Sequence, residues 1–381
     1  MGKESMIPLI REISNANGAS GFEDEVLTVI RKYGKDLGEF SEDSLRNLYL
    51  RRAGNRGGRP VVQLDAHTDE VSFMVQAVKP NGTLVFIPLG GWVANNIPAH
   101  KVRVRNADGQ YIPGVVASKP PHFMSEAERS APADISAMAI DLLLPSAGQA
   151  DSMIRIRQLR EQMPEQWNQT YQAKGREINV SVSPFVPDVD FEYLEQKELM
   201  IGKAFDCRLG CAAVLGTMEV LQGKELDVDV VAGFSVQEEV GARGASVTSS
   251  TIRPDIAVVF EGCPADDTFT EEYMTQAAIK KGPMLRYIDA GMITNPRYQR
   301  YVLDLGKKLG IPVQESVRKG SFTNGSHIHL SNAGVPVIVI GIPVRYIHTH
   351  YGIAALSDVE NAVKLADVVI ESLNAGTVRS F

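Results

Sequence analysis

The apolar run at residues 228–236 is the feature that most constrains how this chain can fold. It stops abruptly at Gln237-Glu238-Glu239, and a glycine-rich segment, residues 241–245, follows directly. A short apolar run bounded by turn signals is typical of a buried strand. Neighbouring residues on a strand point to opposite faces. The two glutamates can therefore do different jobs, one directed at a metal and the other at a substrate.

The segments around this run alternate between helix and strand patterns. The sequence predicts helices at residues 7–16, 22–37, 208–221, 296–309 and 358–373, and strands at residues 45–51, 61–64, 228–236, 256–261, 312–317 and 335–342. Such alternation predicts an α/β fold, with a mostly parallel sheet covered by helices on both faces.

The hydrophobic pattern of the sequence changes between residues 71 and 187. Short alternating runs at residues 72–78, 83–88, 101–104 and 111–117 are separated by turn signals, which indicates a small barrel or sandwich. Residues 146–174 have a mostly helical and polar pattern. We therefore predict one domain made of residues 1–70 and 188–381, interrupted by an inserted β-barrel domain at residues 71–187.

Composition excludes several classes of function. The net charge of −7 argues against broad nucleic-acid binding, which requires a basic face. The longest strongly apolar run, residues 335–344, is shorter than the ~20 residues of a membrane helix, and the N-terminus lacks an apolar signal core. We expect a cytoplasmic protein that does not bind membranes.

The three cysteines are Cys207, Cys211 and Cys263. An odd count without a signal peptide does not indicate a disulfide framework. Free cysteine usually packs as a small apolar residue, so we expect buried fillers. A metal role stays open because the cysteines flank the polar segments described next.

Acids and histidines collect where strand-like runs end. In open α/β sheets the ligand lies outside the carboxyl ends of the strands, and the residues at those positions are His67, Asp69, Asp206, Glu238, Glu239, Glu261 and His348. Two histidines with several carboxylates fit a pair of divalent metals that activate a water and polarise a carbonyl. Each motif alone is more often structural, and the joint placement favours the metal site. We expect His327, His329 and His350 to be surface or packing residues.

These motifs, in this order, resemble the dinuclear-metal aminopeptidases of the glutamyl and tetrahedral aminopeptidase family, some of which are labelled cellulases or endoglucanases. The resemblance covers nearly the whole chain. It is carried by Ala66-His67-Thr68-Asp69-Glu70 with Ser72-Phe73-Met74-Val75, Gly90-Gly91-Trp92, Gly114-Val115-Val116, Pro120-Pro121-His122, Gly202-Lys203-Ala204-Phe205-Asp206-Cys207-Arg208, Val236-Gln237-Glu238-Glu239-Val240-Gly241-Ala242-Arg243-Gly244-Ala245 and Arg345-Tyr346-Ile347-His348-Thr349.

The resemblance implies a catalytic domain of the zinc-exopeptidase type with a barrel domain used in assembly. It implies two metal ions, zinc or alternatively cobalt, that share Asp206. The first set of ligands is His67, Asp206 and Glu261, and the second is Asp206, Glu239 and His348. Glu238 would be the general base and Asp69 would orient His67. Peptides are the implied substrates, and the implied assembly is a homo-oligomer of dimers, up to a tetrahedral dodecamer.

The chain departs from the family pattern at three site positions. Cys207 stands where relatives usually have a second acid, so a supporting hydrogen bond is expected to be missing. Asn324 replaces an acid after Thr323, which we expect to remove a charge near the substrate pocket. Glu261 stands where many relatives have Asp. Residues 146–174 are also longer and more polar than the family pattern.

Three hypotheses about function follow. The first is a metal-dependent aminopeptidase, motivated by the complete ligand set plus Glu238. The second is a glycoside hydrolase, since paired carboxylates can do that chemistry without metal. The third is a family member that binds or assembles without turnover, because of Cys207 or Asn324. A fold alone does not establish activity.

Overall fold

The computed structural model describes residues 2–79, 81–142, 168–173, 176–181 and 183–381, with residues 168–173 and 176–181 described as backbone strands. The chain forms two compact units. The α/β unit comprises Met1–Asp69, Asp190–Ile347 and Tyr351–Phe381. The barrel unit comprises Glu70–Val189 and His348–His350.

The elements are numbered in chain order. The helices are α1 (Lys3–Asn15), α2 (Asp24–Gly34), α3 (Glu126–Ser130), α4 (Phe205–Val220), α5 (Arg243–Ile252), α6 (Pro296–Leu309), α7 (Gly325–Ile328), α8 (Leu356–Ser372) and α9 (Ala375–Arg379). The strands are β1 (Gly38–Glu42), β2 (Leu48–Arg52), β3 (Val61–His67), β4 (Ser72–Val78), β5 (Leu84–Leu89), β6 (Lys101–Arg105), β7 (Tyr111–Val116), β8 (Ile140–Asp141), β9 (Asn168–Ala173), β10 (Arg176–Ser181), β11 (Pro184–Pro187), β12 (Glu192–Leu194), β13 (Leu199–Gly202), β14 (Asp229–Ser235), β15 (Ile256–Pro264), β16 (Met284–Ile288), β17 (Gln314–Val317), β18 (Val337–Val344) and β19 (Gly352–Ala355).

The α/β unit is built on one large sheet. Within the described ranges its eight strands run in the order β1-β2-β14-β3-β15-β18-β16-β17. The central neighbours β14, β3, β15 and β18 are parallel, and antiparallel pairings occur toward the two edges. The predicted α/β class is therefore confirmed. The parallel centre brings the carboxyl ends of three polar-ended strands to one edge of the sheet.

Both faces of this sheet are covered, as alternation along β15 shows. Ile256, Val258 and Phe260 belong to the large core that also contains residues of α1, α4 and α8. Ala257 and Val259 belong to a second core with Ala245 of α5 and Ile328 of α7. Successive side chains of a strand point to opposite faces, so a strand that is apolar at every position needs packing on both. This explains why β18 is apolar throughout and why β14 and β15 are apolar over most of their length.

The barrel unit is a closed barrel with strands in the order β11-β4-β5-β8-β7-β6 among the described residues. Its core contains aliphatic side chains around stacked aromatic rings. The ring of Phe73 lies 4.6 Å from that of Phe185 and 4.5 Å from that of Trp92. Phe86 meets Phe185 edge to face at 5.2 Å. The short alternating runs seen in the sequence form this core, and turns such as the one at Gly82 separate them.

Two smaller β structures complete the described chain. Strands β12, β13 and β19 form a small antiparallel sheet, and β9 pairs with β10 in a hairpin. The helical pattern predicted for residues 146–174 is wrong where it can be compared, because Asn168–Ala173 is a strand. Thr170 and Tyr171 are residue types that favour strands over helices. Residues 146–167 and 174 lie outside the described residues.

No helix in the described part of the chain combines the length and the apolar character needed to cross a bilayer.

Candidate metal centre

His67 ends strand β3 and is almost fully buried. Its Nδ1 lies 3.2 Å from the backbone oxygen of Asp69 and 3.4 Å from Asp69 Oδ1. A carbonyl oxygen only accepts, so Nδ1 carries the proton and donates it. Nε2 is then the ring atom free to act as a ligand, and it lies 3.2 Å from Asp206 Oδ1. A second partner that fixes the ring is usual for metal-binding histidines.

Asp206 reaches the site from the first turn of α4. The strand predicted to lead into it is wrong: β13 ends at Gly202 in the small antiparallel sheet, and Phe205 already begins the helix. Asp206 and Cys207 have non-helical backbone angles at the start of α4. Gly262 allows the close approach, because a Cβ there would come within 2.7 Å of the Asp206 Cα.

Glu261 lies inside β15, three residues before its end, and not at the predicted terminus. The strand continues because Gly262–Pro264 keep pairing with β18 in register. Glu261 Oε1 lies 3.2 Å from His67 Nε2. Neither carboxylate oxygen of this buried residue has a hydrogen-bond donor of good geometry among the described side chains and backbone.

The pair Glu238-Glu239 lies in the loop that follows β14. Strand β14 ends at Ser235, and Gln237 has a left-handed backbone with φ +58°. Asp69 Oδ1 accepts from the backbone N–H of Glu238 at 2.8 Å, and Asp69 Oδ2 accepts from that of Glu239 at 3.1 Å. Glu238 Oε2 lies 3.9 Å from His67 Nε2. One carboxylate, Asp69, therefore contacts both the histidine and the glutamate loop.

The glycine-rich segment is a tight turn, as expected, but it also starts a helix that the sequence analysis did not predict. Gly241 has φ +117° and Ala242 has φ +47°, and α5 begins at Arg243. Gly244 is required because a Cβ there would lie 2.4 Å from the backbone oxygen of Val236. The turn thereby folds back on the end of β14.

His348 follows β18 by four residues and belongs to the barrel unit. Its backbone is left-handed with φ +58°. Its Nδ1 lies 2.8 Å from the carbonyl oxygen of Gly91, so Nδ1 donates and Nε2 is the potential ligand atom. A side chain at position 91 would crowd this ring, since an added Cβ would be 3.2 Å from Nδ1.

The electrostatics of the α/β unit's site are dominated by buried acids. Burial opposes protonation of His67, but the nearby charges, Glu261 first, hold its pKa well above the usual range. Burial raises the pKa of Glu238 well above its usual value, and the neighbouring acids Glu261 and Glu239 add to the effect. Burial also raises the pKa of Glu261 to about 7. Such shifts occur where acids crowd together without enough positive charge.

A divalent cation fits this set of donors. His67, Asp206, Cys207 and Glu261 each offer a ligand atom, and these atoms lie within 4.8 Å of one another. Carboxylate oxygens of Asp206 and Glu239 are also within 4.8 Å of each other. A bound cation would satisfy the two oxygens of Glu261, which have no hydrogen bond of good geometry. Imidazole and carboxylate ligands together suit zinc or cobalt.

Cys207 is buried, and its Sγ donates to the backbone oxygen of Phe260 at 3.2 Å. Burial raises the pKa of this thiol well above its usual range, followed by the effect of the Glu261 charge. A neutral thiol therefore occupies the position next to Asp206. Cys211 and Cys263 are buried as well, as the sequence predicts for apolar fillers.

Asn324 lies in the interior, where it hydrogen-bonds an acid of strand β3. It is fully buried, and its Nδ2 donates to Asp65 Oδ1 at 2.7 Å and to Ser235 Oγ at 2.6 Å. Burial raises the pKa of Asp65 to about 6, and the bond from Asn324 works in the opposite direction. Asn324 is thus part of a buried network that includes Asp65, which precedes His67 by two positions in the chain.

Two residues that the sequence did not predict as part of the site approach it from the connection between α1 and α2. They are Ser20 and Glu23. Ser20 Oγ donates to Asp69 Oδ2 at 2.7 Å. Glu23 Oε1 accepts from the backbone N–H of Gln237 at 3.2 Å. Burial, followed by the charge of Asp69, raises the pKa of Glu23 to about 8. The local sequence does not indicate a role for Glu23 in the site, because an acid at the start of a helix is usually explained by its favourable interaction with the helix dipole.

His327 and His329 lie outside this cluster. The Nδ1 of His327 is 2.7 Å from Ser246 Oγ, and that of His329 is 2.9 Å from the carbonyl of Gly325. His350 packs in the barrel unit, with its ring stacked on His100 at 4.0 Å. These contacts are those of surface and packing residues.

Known proteins similar to this chain include aminopeptidases. The model of the M42 glutamyl aminopeptidases matches residues 47–170 and 165–365. The glutamyl aminopeptidase of Lactococcus lactis is 31% identical over 373 residues, which cover 97% of each chain. A TET aminopeptidase from a marine sediment archaeon of the Thaumarchaeota has 31% identity and a TM-score of 0.86 over 99% of both chains. The TET1 peptidase of Pyrococcus horikoshii, described as assembling into a tetrahedron or a large octahedral shell, has 23% identity and a TM-score of 0.79 over 97% of this chain and 100% of its own.

Proposed function

The chain belongs to the M42 glutamyl aminopeptidase family and is an aminopeptidase, a hydrolase, and from this premise we propose that it releases N-terminal residues from peptides by means of two divalent metal ions and a glutamate base. The observation that carries the proposal is the cluster at His67. Asp206 Oδ1 and Glu261 Oε1 each lie 3.2 Å from its Nε2, and Glu238 Oε2 lies 3.9 Å from the same atom.

The first metal would be held by His67, Asp206 and Glu261. This assignment is supported by the buried Glu261 oxygens that lack donors and by the proton on His67 Nδ1, which leaves Nε2 available. The second metal would be held by Asp206, Glu239 and His348. Here the support is the proximity of the Asp206 and Glu239 oxygens, together with the family resemblance that supplies His348. Zinc is the proposed ion and cobalt the alternative.

The metals would supply Lewis acidity, which lowers the pKa of a water and polarises a peptide carbonyl. Glu238 is the proposed general base. It would take a proton from the attacking water and return it to the leaving amine, a dual role that suits a carboxylate with a raised pKa. Asp69 would keep His67 in the required tautomer and hold the Glu238 backbone in place. The neighbouring carboxylates would attract the free amino group of the substrate and so restrict cleavage to the first residue.

The family context also supports proposals about assembly and location. We propose a homo-oligomer built from dimers, up to a dodecamer, in which the barrel unit is the assembly domain and the α/β unit is the catalytic domain. We also propose a cytoplasmic location, with peptides as partners and neither nucleic acid nor membrane.

A library of peptides with free or blocked N-termini tests the proposed activity. The purified protein would be stripped of metal and reloaded with zinc, cobalt, manganese or magnesium. We expect release of single N-terminal residues from free peptides only, restored best by zinc or cobalt. Cleavage of blocked peptides would contradict the exopeptidase proposal.

Two further outcomes would favour the competing hypotheses. Hydrolysis of a glucan by the fully chelated protein would favour a glycoside hydrolase. Absence of bound metal by elemental analysis, with no cleavage of any peptide, would favour a binding or assembly protein without turnover.

A further inference from the structure

Three consecutive backbone N–H groups of the glutamate loop point at buried carboxylates. Gln237 donates to Glu23 Oε1, Glu238 to Asp69 Oδ1 and Glu239 to Asp69 Oδ2, at 3.2, 2.8 and 3.1 Å. Glu23 and Asp69 are both almost fully buried. The pKa of Asp69 is lowered by its contact with His67 despite burial, so its two bonds are made to a carboxylate and are stronger than neutral ones. Glu23 provides a third acceptor, and these two side chains together fix the loop that contains the proposed base and one proposed ligand.

The loop needs such support because its first residue is strained. Gln237 is not glycine but has φ +58°. Non-glycine residues in this region cost of the order of 1 kcal/mol or more and persist only where surrounding contacts hold them. The Gln237 N–H that Glu23 accepts belongs to this strained residue.

The Glu23 side chain does not cap its own helix, α2. It stands at the N-terminal boundary of α2, but its side chain makes no capping bond there. The same oxygen, Oε1, accepts from Gly21 N–H at 2.8 Å and from Gln237 N–H, 214 residues away in the chain. An acid at a helix start normally satisfies the N–H groups of that helix. This one is turned toward the glutamate loop instead.

The connector, residues 16–23, is also tied to the segment that carries Asp206. The buried guanidinium of Arg208 donates to the backbone oxygens of Ala16 and Gly18, at 3.2 and 3.4 Å. Lys203 Nζ donates to the Ala16 oxygen at 2.9 Å. Gly18 permits this packing, because a Cβ there would lie 2.5 Å from an Arg208 nitrogen. The connector therefore contacts both the Asp206 segment and the glutamate loop.

We propose that Glu23 is a positioning residue for the reaction: through the backbone of Gln237 it sets the placement of the Glu238 carboxylate relative to the His67–Asp206–Glu261 cluster, with Ser20 assisting through Asp69. This inference rests on the proposed aminopeptidase function. We expect Glu23 to affect the placement of the base, and not the affinity for metal or for substrate.

The test compares Glu23→Ala, Glu23→Gln and the control Glu4→Ala, an exposed acid on α1. All are assayed as the metal-loaded full chain. Loss of the Glu23 bonds should lower kcat by about 10- to 100-fold with KM within about twofold, as expected for a misplaced catalytic group. Glu23→Gln keeps an oxygen that can accept the same two N–H groups and should recover most of kcat. Glu4→Ala should match the parent protein.

Hydrogen exchange provides a second measurement that does not depend on activity. The amides of residues 237–239 should exchange at least about tenfold faster in Glu23→Ala than in the parent, while amides of β15 are unchanged. Ser20→Ala should show a smaller increase in the exchange rate of these amides. This variant tests the proposal if Glu23→Ala does not fold.

The proposal is overturned if Glu23→Ala shows parental kcat and parental exchange, or if Glu23→Gln is as impaired as Glu23→Ala. A parent protein that cleaves no peptide would instead refute the proposed function. The exchange data would then still decide whether Glu23 holds the loop.

Discussion

The two units of this protein bury very different groups. In the barrel unit, the core around Phe73, Phe86 and Phe185 is made of stacked rings and aliphatic side chains. In the α/β unit, the sheet edge at His67 buries several carboxylates, whose pKa values burial raises. Burying apolar area stabilises a fold, whereas burying charge costs free energy unless it is compensated. The barrel core therefore contributes stability, whereas the buried carboxylates at His67 cost stability and serve the chemistry.

This difference predicts different responses to substitution in the two regions. Left-handed non-glycine residues stand next to the acids, at Gln237 and Ala242; Ala242 packs in the second core with Ala245, and the Gln237 N–H is bound by Glu23. In the barrel core each ring packs directly on the next, so truncation of one ring leaves a cavity. Substitutions at the acidic edge should therefore alter chemistry with little loss of stability, and substitutions in the barrel should do the reverse.

The largest expected effect is on catalysis, in Glu238→Gln. Removing the proposed base should lower kcat by about 10²- to 10⁴-fold, while the free energy of unfolding stays the same or rises, because a buried acid with a raised pKa is lost. Steady-state kinetics and urea unfolding measure the two quantities. Exposed Glu272→Gln is the matched control. Parental kcat in Glu238→Gln would remove Glu238 from its proposed role.

The largest expected effect on stability is in the barrel unit, in Phe185→Ala. Deleting a ring that contacts both Phe73 and Phe86 should cost about 3–5 kcal/mol in the free energy of unfolding. Tryptophan fluorescence follows this unit through Trp92, whose ring stacks on that of Phe73. Phe123→Ala, at a ring that is 74% exposed, should change little. Equal losses in the two variants would contradict the described core.

A third effect concerns pH. Asp358 is buried in the α/β unit and accepts from the backbone N–H groups of Lys280 and Gly282. Burial raises its pKa from 3.8 to about 6. The folded state therefore binds this proton more tightly than the unfolded state, so stability falls as pH rises from about 4 to 6, by roughly 3 kcal/mol in total.

Asp358→Asn should remove this contribution to the pH dependence, although the variant loses one acceptor and is less stable at low pH. Urea unfolding at several pH values between 4 and 7 measures the slope, with exposed Asp36→Asn as the control. An unchanged slope in Asp358→Asn would show that other groups dominate this range.

The smallest expected effect is that of metal removal on stability. A cation that binds only the folded state stabilises it by about 2.7 kcal/mol at a concentration 100 times the dissociation constant. Chelation should lower the unfolding midpoint of the α/β unit, followed by hydrogen exchange in β15, and Glu261→Gln should reduce the difference. A shift confined to the tryptophan signal would place the metal elsewhere.

Much of the fold was predictable because its signals are local. The apolar runs of β14, β15 and β18 and the helical pattern of α6 each lie within one short segment, and the turns of the barrel carry their own glycines and asparagines. Errors arose where local signals conflicted. Gly202–Phe205 has the composition of a strand end, but the chain turns into α4 at Phe205. β15 continues through Pro264 because its pairing with β18 outweighs the usual effect of proline.

The site was predictable only in part, for a related reason. Acids and histidines after apolar runs, such as His67 and Glu238, can be seen in the sequence, and the resemblance assigned roles to them. The contact of Glu23 with Gln237 joins residues that are 214 positions apart, and no periodicity records it. The burial of Asn324 also depends on packing between α7 and the sheet, so its distance from any surface could not be inferred from composition.

The amide at position 324 determines how many titratable groups the buried network with Asp65 contains. Two acids at positions 65 and 324, with polar atoms 2.7 Å apart, would have to share one proton, and that proton would leave or return with pH. An amide cannot titrate, so the Nδ2 of Asn324 remains a donor to Asp65 Oδ1 at every pH. The strand end that presents His67 is therefore supported by a donor whose state does not depend on the medium. A chain with an acid in place of Asn324 would have to maintain the same support with a mobile proton.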